Sequence, residues 1–181
     1  QKELQSLVNL DTQGQHQQAL TKASQLLKAC PNSIILHNIL GAANTGLGKL
    51  EESIEVYNKA LSIRPDYADT YYNMGNSLKA QGKLEEAIEA YNKTISIKPD
   101  FADGYFNMGI ALKAQGKLEE AIEAYNKAFA IKPNYAEAYN NMGNALKDQG
   151  KLEEAIEAYT KAISTRPDFA EAYNNIAVSL K

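Results

Sequence analysis

Residues 73–93 read NMGNSLKAQGKLEEAIEAYNK, and the chain writes nearly the same letters twice more, NMGIALKAQGKLEEAIEAYNK at 107–127 and NMGNALKDQGKLEEAIEAYTK at 141–161. The step is 34 residues, and Pro31, Pro65, Pro99, Pro133 and Pro167 keep it, as do Gly14, Gly48, Gly82, Gly116 and Gly150. Self-similarity at such a period marks a small unit that cannot bury its apolar face alone and stacks on its copies. One helix-length segment lies between each glycine and the next proline, and another between each proline and the next glycine. Two helices per period follow.

The apolar spacing supports this. Tyr71, Met74, Gly75 and Leu78 fall at i, i+3, i+4 and i+7, one stripe of a helix; Ala87, Ile88, Tyr91 and Ile95 mark a second. Small residues at Gly75 and Ala87 let the two helices approach closely. Gly82 supplies a left-handed residue to end the first helix, and Glu85 and Glu86 put negative charge in the first turn of the second. Pro99 stops that helix, and Asp100 is expected to N-cap the next.

The pattern Tyr71-x2-Met74-Gly75-x2-Leu78, Ala87-x3-Tyr91, Pro99 resembles the tetratricopeptide repeat, with Tyr for the usual Trp and Leu for the usual Tyr. The resemblance implies an all-α fold: a right-handed superhelical solenoid of antiparallel helix pairs, about 11 helices in one domain over residues 1–181. The expected repeats are 1–33, degenerate, then 34–67, 68–101, 102–135 and 136–169, with 170–181 the first helix of a sixth. In the first repeat Leu7, Leu10 and Ala19 fit, whereas Ala23 and Leu26 depart from the pattern. Tyr173, Ile176, Ala177 and Leu180 keep an inward stripe with no following helix to cover it, so part of it is expected to be exposed and the chain to be cut from something longer.

Composition narrows the function. A formal charge of −3 without a basic stripe argues against nucleic acid. No apolar run approaches the roughly 20 residues of a membrane span, and the start has no secretory pattern. The one cysteine, Cys30, excludes an internal disulfide and leans toward a reducing, cytoplasmic setting. No catalytic set is visible: His16 and His37 have no carboxylate or cysteine at ligand spacing. GAANTGLGKLEE at 41–52 lacks the glycine–lysine–hydroxyl order of a phosphate loop and joins helix to helix. Asn92-Lys93-Thr94 matches a glycosylation sequon by chance. The carboxylates of LEEAIEAY form a solvated face, with Glu89–Lys93 and Glu123–Lys127 in the favoured i, i+4 order. No enzyme, cofactor or metal is expected.

The resemblance implies that the first helix of each repeat lines a concave side. Packing leaves unexplained Asn73, Asn107, Asn141 and Asn175, in one register. One step earlier lie Tyr72, Phe106, Asn140 and Asn174; one turn later lie Asn76 and Asn144, with Ile110 and Val178 at the same place. Asparagine is a mediocre helix former, and its amide both donates and accepts, so such a row suits the backbone of an extended peptide. It is similar to the asparagine ladder of O-linked N-acetylglucosamine transferases; the bland alternative is a bond to a neighbouring helix. Asp69, Asp103, Glu137 and Glu171 are expected mainly to cap helix starts. Tyr72 and Phe106 are expected as exposed anchors. A carboxylate clamp of the chaperone-binding kind is not expected, because asparagines and aromatics hold its places and Lys79, Lys113 and Lys147 lie a turn later. The expectation is a non-catalytic scaffold for a protein or peptide. The alternatives are the substrate-recruiting segment of a larger transferase, or end-to-end self-association through the C-terminal helix.

Overall fold

The computed structural model describes residues 2–180, with Lys2 described by its backbone alone; Gln1 and Lys181, the outermost residues of the first and last expected repeats, lie outside the described residues. Among the described residues there are eleven helices and no strand: α1 (Lys2–Thr12), α2 (His16–Ala29), α3 (Ile34–Gly46), α4 (Leu50–Ile63), α5 (Ala68–Ala80), α6 (Leu84–Ile97), α7 (Ala102–Ala114), α8 (Leu118–Ile131), α9 (Ala136–Asp148), α10 (Leu152–Thr165) and α11 (Ala170–Ser179). None of these helices is long and apolar enough to cross a membrane.

The chain forms two compact units, one ending at Ile97 and one beginning at Lys98. In the first, α3 packs on α4 and α5 on α6, while α2 meets α3 and α4 meets α5; in the second, α7 packs on α8 and α9 on α10, with α8 against α9 and α10 against α11.

The turn inside each pair is legible from its glycine. At Gly82 the backbone turns left-handed, with φ at +78°. Lys83 N–H then reaches back to the Leu78 carbonyl at 3.0 Å, the long bond that satisfies an orphaned carbonyl at a helix end. The start of α7 differs from expectation. Its N-cap position is Phe101, with no side-chain capping bond, and Asp100 is exposed in the preceding turn. Among the helices whose N-cap residue is described, only α3 begins with a capping side chain, where Ser33 Oγ accepts from Leu36 N–H at 3.4 Å.

The second-helix tyrosine explains the first-helix glycine. Tyr57, Tyr91, Tyr125 and Tyr159 are fully buried, each ring lying over the glycine of its partner helix. A Cβ built on Gly75 stands 2.7 Å from Tyr91 Cε1; on Gly109, 2.6 Å from Tyr125 Cε1. Carbon pairs are comfortable only at about 3.5–4.0 Å, so the ring occupies the space any side chain needs. The first repeat inverts the pair. Leu7 stands where the others have glycine and Ala23 where they have tyrosine, and both are buried. Large and small exchange sides while the interface stays filled, a volume-conserving swap. On α11 the glycine place holds Ala177, and Tyr173 and Leu180 of the unpaired stripe are 51 and 70% exposed, as expected; Val178, off that stripe, is 61% exposed.

Candidate functional site

In the second unit α9 contacts both α7 and α11, so Asn107, Asn141 and Asn175 come from successive neighbouring helices. Asn107 Nδ2 donates to the Asp103 carbonyl at 3.1 Å and Asn141 Nδ2 to the Glu137 carbonyl at 2.9 Å. A carbonyl only accepts, so these bonds fix which end of each amide faces its own helix. Both side chains stay half-exposed, as does Asn73 in the first unit. Asn38, in the same register as Asn140, also donates to its own helix, to Ile34 O at 3.1 Å, and exchanges bonds with Thr70 at 2.8 and 2.9 Å.

Three other sequence-expected site residues, Asn140, Asn76 and Asn144, also bond within the fold. Asn140 is 2% exposed; it donates to Glu171 Oε1 at 2.8 Å and accepts from Asn175 Nδ2 at 3.0 Å, tying α9 to α11. Asn174 is exposed. The amide oxygens of Asn76 and Asn144 accept from the buried hydroxyls of Tyr91 and Tyr159, each at 2.8 Å. Tyr57 has no asparagine opposite; the hydroxyls of Thr45 and Ser53 lie against it. Burial pushes the Tyr57 phenol up to about 12, and those two hydroxyls pull in the opposite direction. They belong to a buried cluster with Ser77, Thr45 Oγ1 lying 2.8 Å from both serine oxygens.

Tyr72 and Phe106 are half-buried rather than freely exposed. The Phe106 ring lies 6.1 Å from Tyr125 and 4.7 Å from Tyr135, and Tyr72 lies 6.2 Å from Tyr91. These rings pack against the buried tyrosines and remain partly exposed.

The acidic row is not a row of caps. Asp103 accepts from the Tyr135 hydroxyl at 2.7 Å and lies 3.9 Å from Lys132 Nζ; Glu137 pairs with Arg166. The basic residue before each of the last four prolines also stacks on a ring: Arg64 over Tyr67, Lys98 over Phe101, Lys132 over Tyr135 and Arg166 over Phe169, at 5.4, 4.9, 4.0 and 3.7 Å from the centroids. The signal was present as a basic residue before each of the last four prolines and an aromatic two residues after it. Sequence reading passed over it because it used the proline only as a stop. Lys113 meets Asp148 at 2.7 Å. On α8, Lys127 lies over the Tyr105 ring at 5.9 Å.

Among the described residues no three histidine, cysteine or acidic side chains converge as metal ligands. His16 Nδ1 lies 2.9 Å from Asp11 Oδ1, His37 Nδ1 lies 2.9 Å from the Ser33 carbonyl, and Cys30 is free and exposed. The sequon is helical, with Thr94 buried against the Ala90 carbonyl, so its hydroxyl cannot join an extended acceptor loop. A cleft of about 290 Å³ lies between α4 and α6, over Tyr71, Met74 and Leu78.

The repeat is also recognised by comparison. The family model described as TPR repeat matches residues 45–82, 75–116, 111–150 and 143–181. No match was found among curated proteins. Among solved structures the chain is similar to MamA, at 28% identity over 90% of this chain and 95% of that one, with a TM-score of 0.80. It shares its fold with YrrB, described as a TPR protein with an unusual peptide-binding site, at 20% identity, 95 and 89% coverage and a TM-score of 0.76. A thermophilic TPR protein of Thermus thermophilus aligns at 21% identity, 99 and 98% coverage and a TM-score of 0.78. Matched along most of its length by the repeat model and built from the same helix pairs, the chain belongs to the tetratricopeptide-repeat family.

Proposed function

We propose that this chain is a non-catalytic interaction scaffold that holds an extended peptide along the first-helix faces of its repeats. The observation that carries the proposal is the pair Asn107 and Asn141 on neighbouring helices of the second unit, half-exposed and in one register, a register that Asn73 keeps in the first unit. Asn107 and Asn141 are held in orientation by their own helices, so little side-chain freedom is lost when a ligand binds. An oriented amide suits a peptide group and makes little demand on the ligand's side chains, which favours the ladder-like reading. That YrrB is described as having a peptide-binding site adds weight.

Selection from a displayed library of random peptides, run in parallel on the wild type and on Asn73→Ala/Asn107→Ala/Asn141→Ala, tests it. Peptides enriched on the wild type and lost on the variant support the groove; peptides enriched equally on both refute it.

A second reading has its own observation, the apolar stripe of α11 exposed at Tyr173, Ala177 and Leu180. Self-association through that face predicts a mass that rises with concentration. A monomer at every concentration removes it.

A further inference from the structure

Three buried tyrosines have acceptors or hydroxyls at their tips, and one does not. Tyr91 and Tyr159 donate to Asn76 and Asn144, and Tyr57 meets Thr45 and Ser53. Tyr125 sits in the same pose over its glycine, but the residue in register with Asn76 and Asn144 is Ile110. Its hydroxyl is buried and has no hydrogen-bond partner among the described residues. A buried donor without an acceptor is a standing penalty that native proteins rarely keep without reason. The Phe106 ring lies 6.1 Å from the Tyr125 ring, and Ile110, in the register of the two acceptors, stands one helical turn after Asn107 and is half-exposed.

We propose that the Tyr125 hydroxyl is a ligand-reading donor, taking a main-chain carbonyl oxygen of a bound extended peptide at the level of α7. This rests on the groove reading above and adds to it the one place where the ligand completes the fold's own hydrogen bonding. The two neighbouring hydroxyl positions show that an acceptor fits 2.8 Å from the tyrosine oxygen when it enters from the first-helix side. A neutral carbonyl is the matching group, because a carboxylate would have to lose its hydration beside Ile110 and Phe106. Burial also raises the Tyr125 phenol above its ordinary value, so it stays protonated and able to donate. The hydroxyl is fully buried in the free chain, so the Ile110 side chain, which stands in the acceptor's register, must move aside when a peptide binds.

The test uses peptides enriched from the displayed random library on the full wild-type chain, then synthesised and titrated against wild type, Tyr125→Phe and Ile110→Asn. Tyr125→Phe removes an unpartnered donor while keeping the ring, so its thermal midpoint is expected to equal or exceed that of wild type. Its affinity for the selected peptides is expected to fall about tenfold. Ile110→Asn supplies an internal acceptor, as Asn76 and Asn144 do. It is expected to raise the midpoint and to weaken the same peptides, because the hydroxyl is then already engaged. Selected peptides that bind all three proteins within twofold, yet are lost on the triple asparagine variant, overturn this inference and leave the groove reading standing. Failure of the wild type to enrich any peptide removes both. A Tyr125→Phe protein that melts well below wild type also overturns it, since the hydroxyl would then have an internal structural partner.

Discussion

Gly75→Ala separates two opposed expectations about one methyl group. Helix propensity alone makes alanine better than glycine in a helix interior by about 0.5–1 kcal/mol. The packing argues the other way. The new Cβ would stand 2.7, 2.9 and 3.1 Å from three carbons of the Tyr91 ring. The ring therefore has to withdraw by nearly 1 Å to reach ordinary contact. Tyr91 is fully buried and its hydroxyl is held by Asn76 at 2.8 Å. Withdrawal thus overpacks the far side, at about 1–3 kcal/mol, and strains a hydrogen bond worth about 1 kcal/mol. The net expectation is a loss of roughly 1–3 kcal/mol, which for a chain of this length lowers the melting temperature by roughly 2–12 °C. Thermal and urea unfolding followed by circular dichroism measure it. A variant as stable as wild type, or more so, would refute the steric reasoning. The first repeat supplies the companion test, since it already carries Leu7 against Ala23. Gly75→Leu and Tyr91→Ala should each be damaging, and the double variant should recover part of the combined loss.

Further expectations follow from the same contacts. Arg166→Ala removes a stacked guanidinium 3.7 Å from the Phe169 centroid and the pair with Glu137. Both ion-pair partners are over a third exposed, so the loss by urea unfolding should be only about 1 kcal/mol. Asn140→Ala should raise amide exchange in α11, because its bonds to Glu171 and Asn175 are lost; Asn141→Ala, one residue away, should leave α11 exchange unchanged. Tyr57 titrates near 12 in the folded protein and near 10 when unfolded. Between those values the folded state holds the extra proton. The stability tied to this group is therefore full below pH about 10 and falls as pH rises toward about 12. Alkaline unfolding of the wild type, compared with Tyr57→Phe, measures this; equal slopes for the two would contradict it.

The helix pairs, their turns and their boundaries could be read from the sequence because each depends on a residue with one strong local preference. Gly82 takes a left-handed turn, Pro99 ends a helix, and the stripe Tyr71–Leu78 keeps helical period. What stayed hidden depended on pairs of residues far apart in the chain. The exchange of Leu7 and Ala23 for glycine and tyrosine looks like decay of the repeat until the two positions are seen to face each other. Asn140 and Asn141 are adjacent identical letters, yet one is buried between helices and the other half-exposed, a difference that only neighbouring helices decide. Asn76 and Asn144 were read as groove residues because their exposure was inferred, while the tyrosine hydroxyls lying against them were not. The acidic row was assigned to capping because capping is a local rule. Its partners, Lys132 and Arg166, lie a whole helix pair away.

The central claim is that the half-exposed asparagines mark where a peptide lies. The most direct measurement is amide hydrogen exchange of the full chain with and without a library-selected peptide at saturating concentration. New protection concentrated in α5, α7 and α9, around Asn73, Asn107 and Asn141, is the predicted result. Protection centred instead on the α4–α6 cleft over Tyr71 and Met74, with those helix faces unchanged, would contradict it.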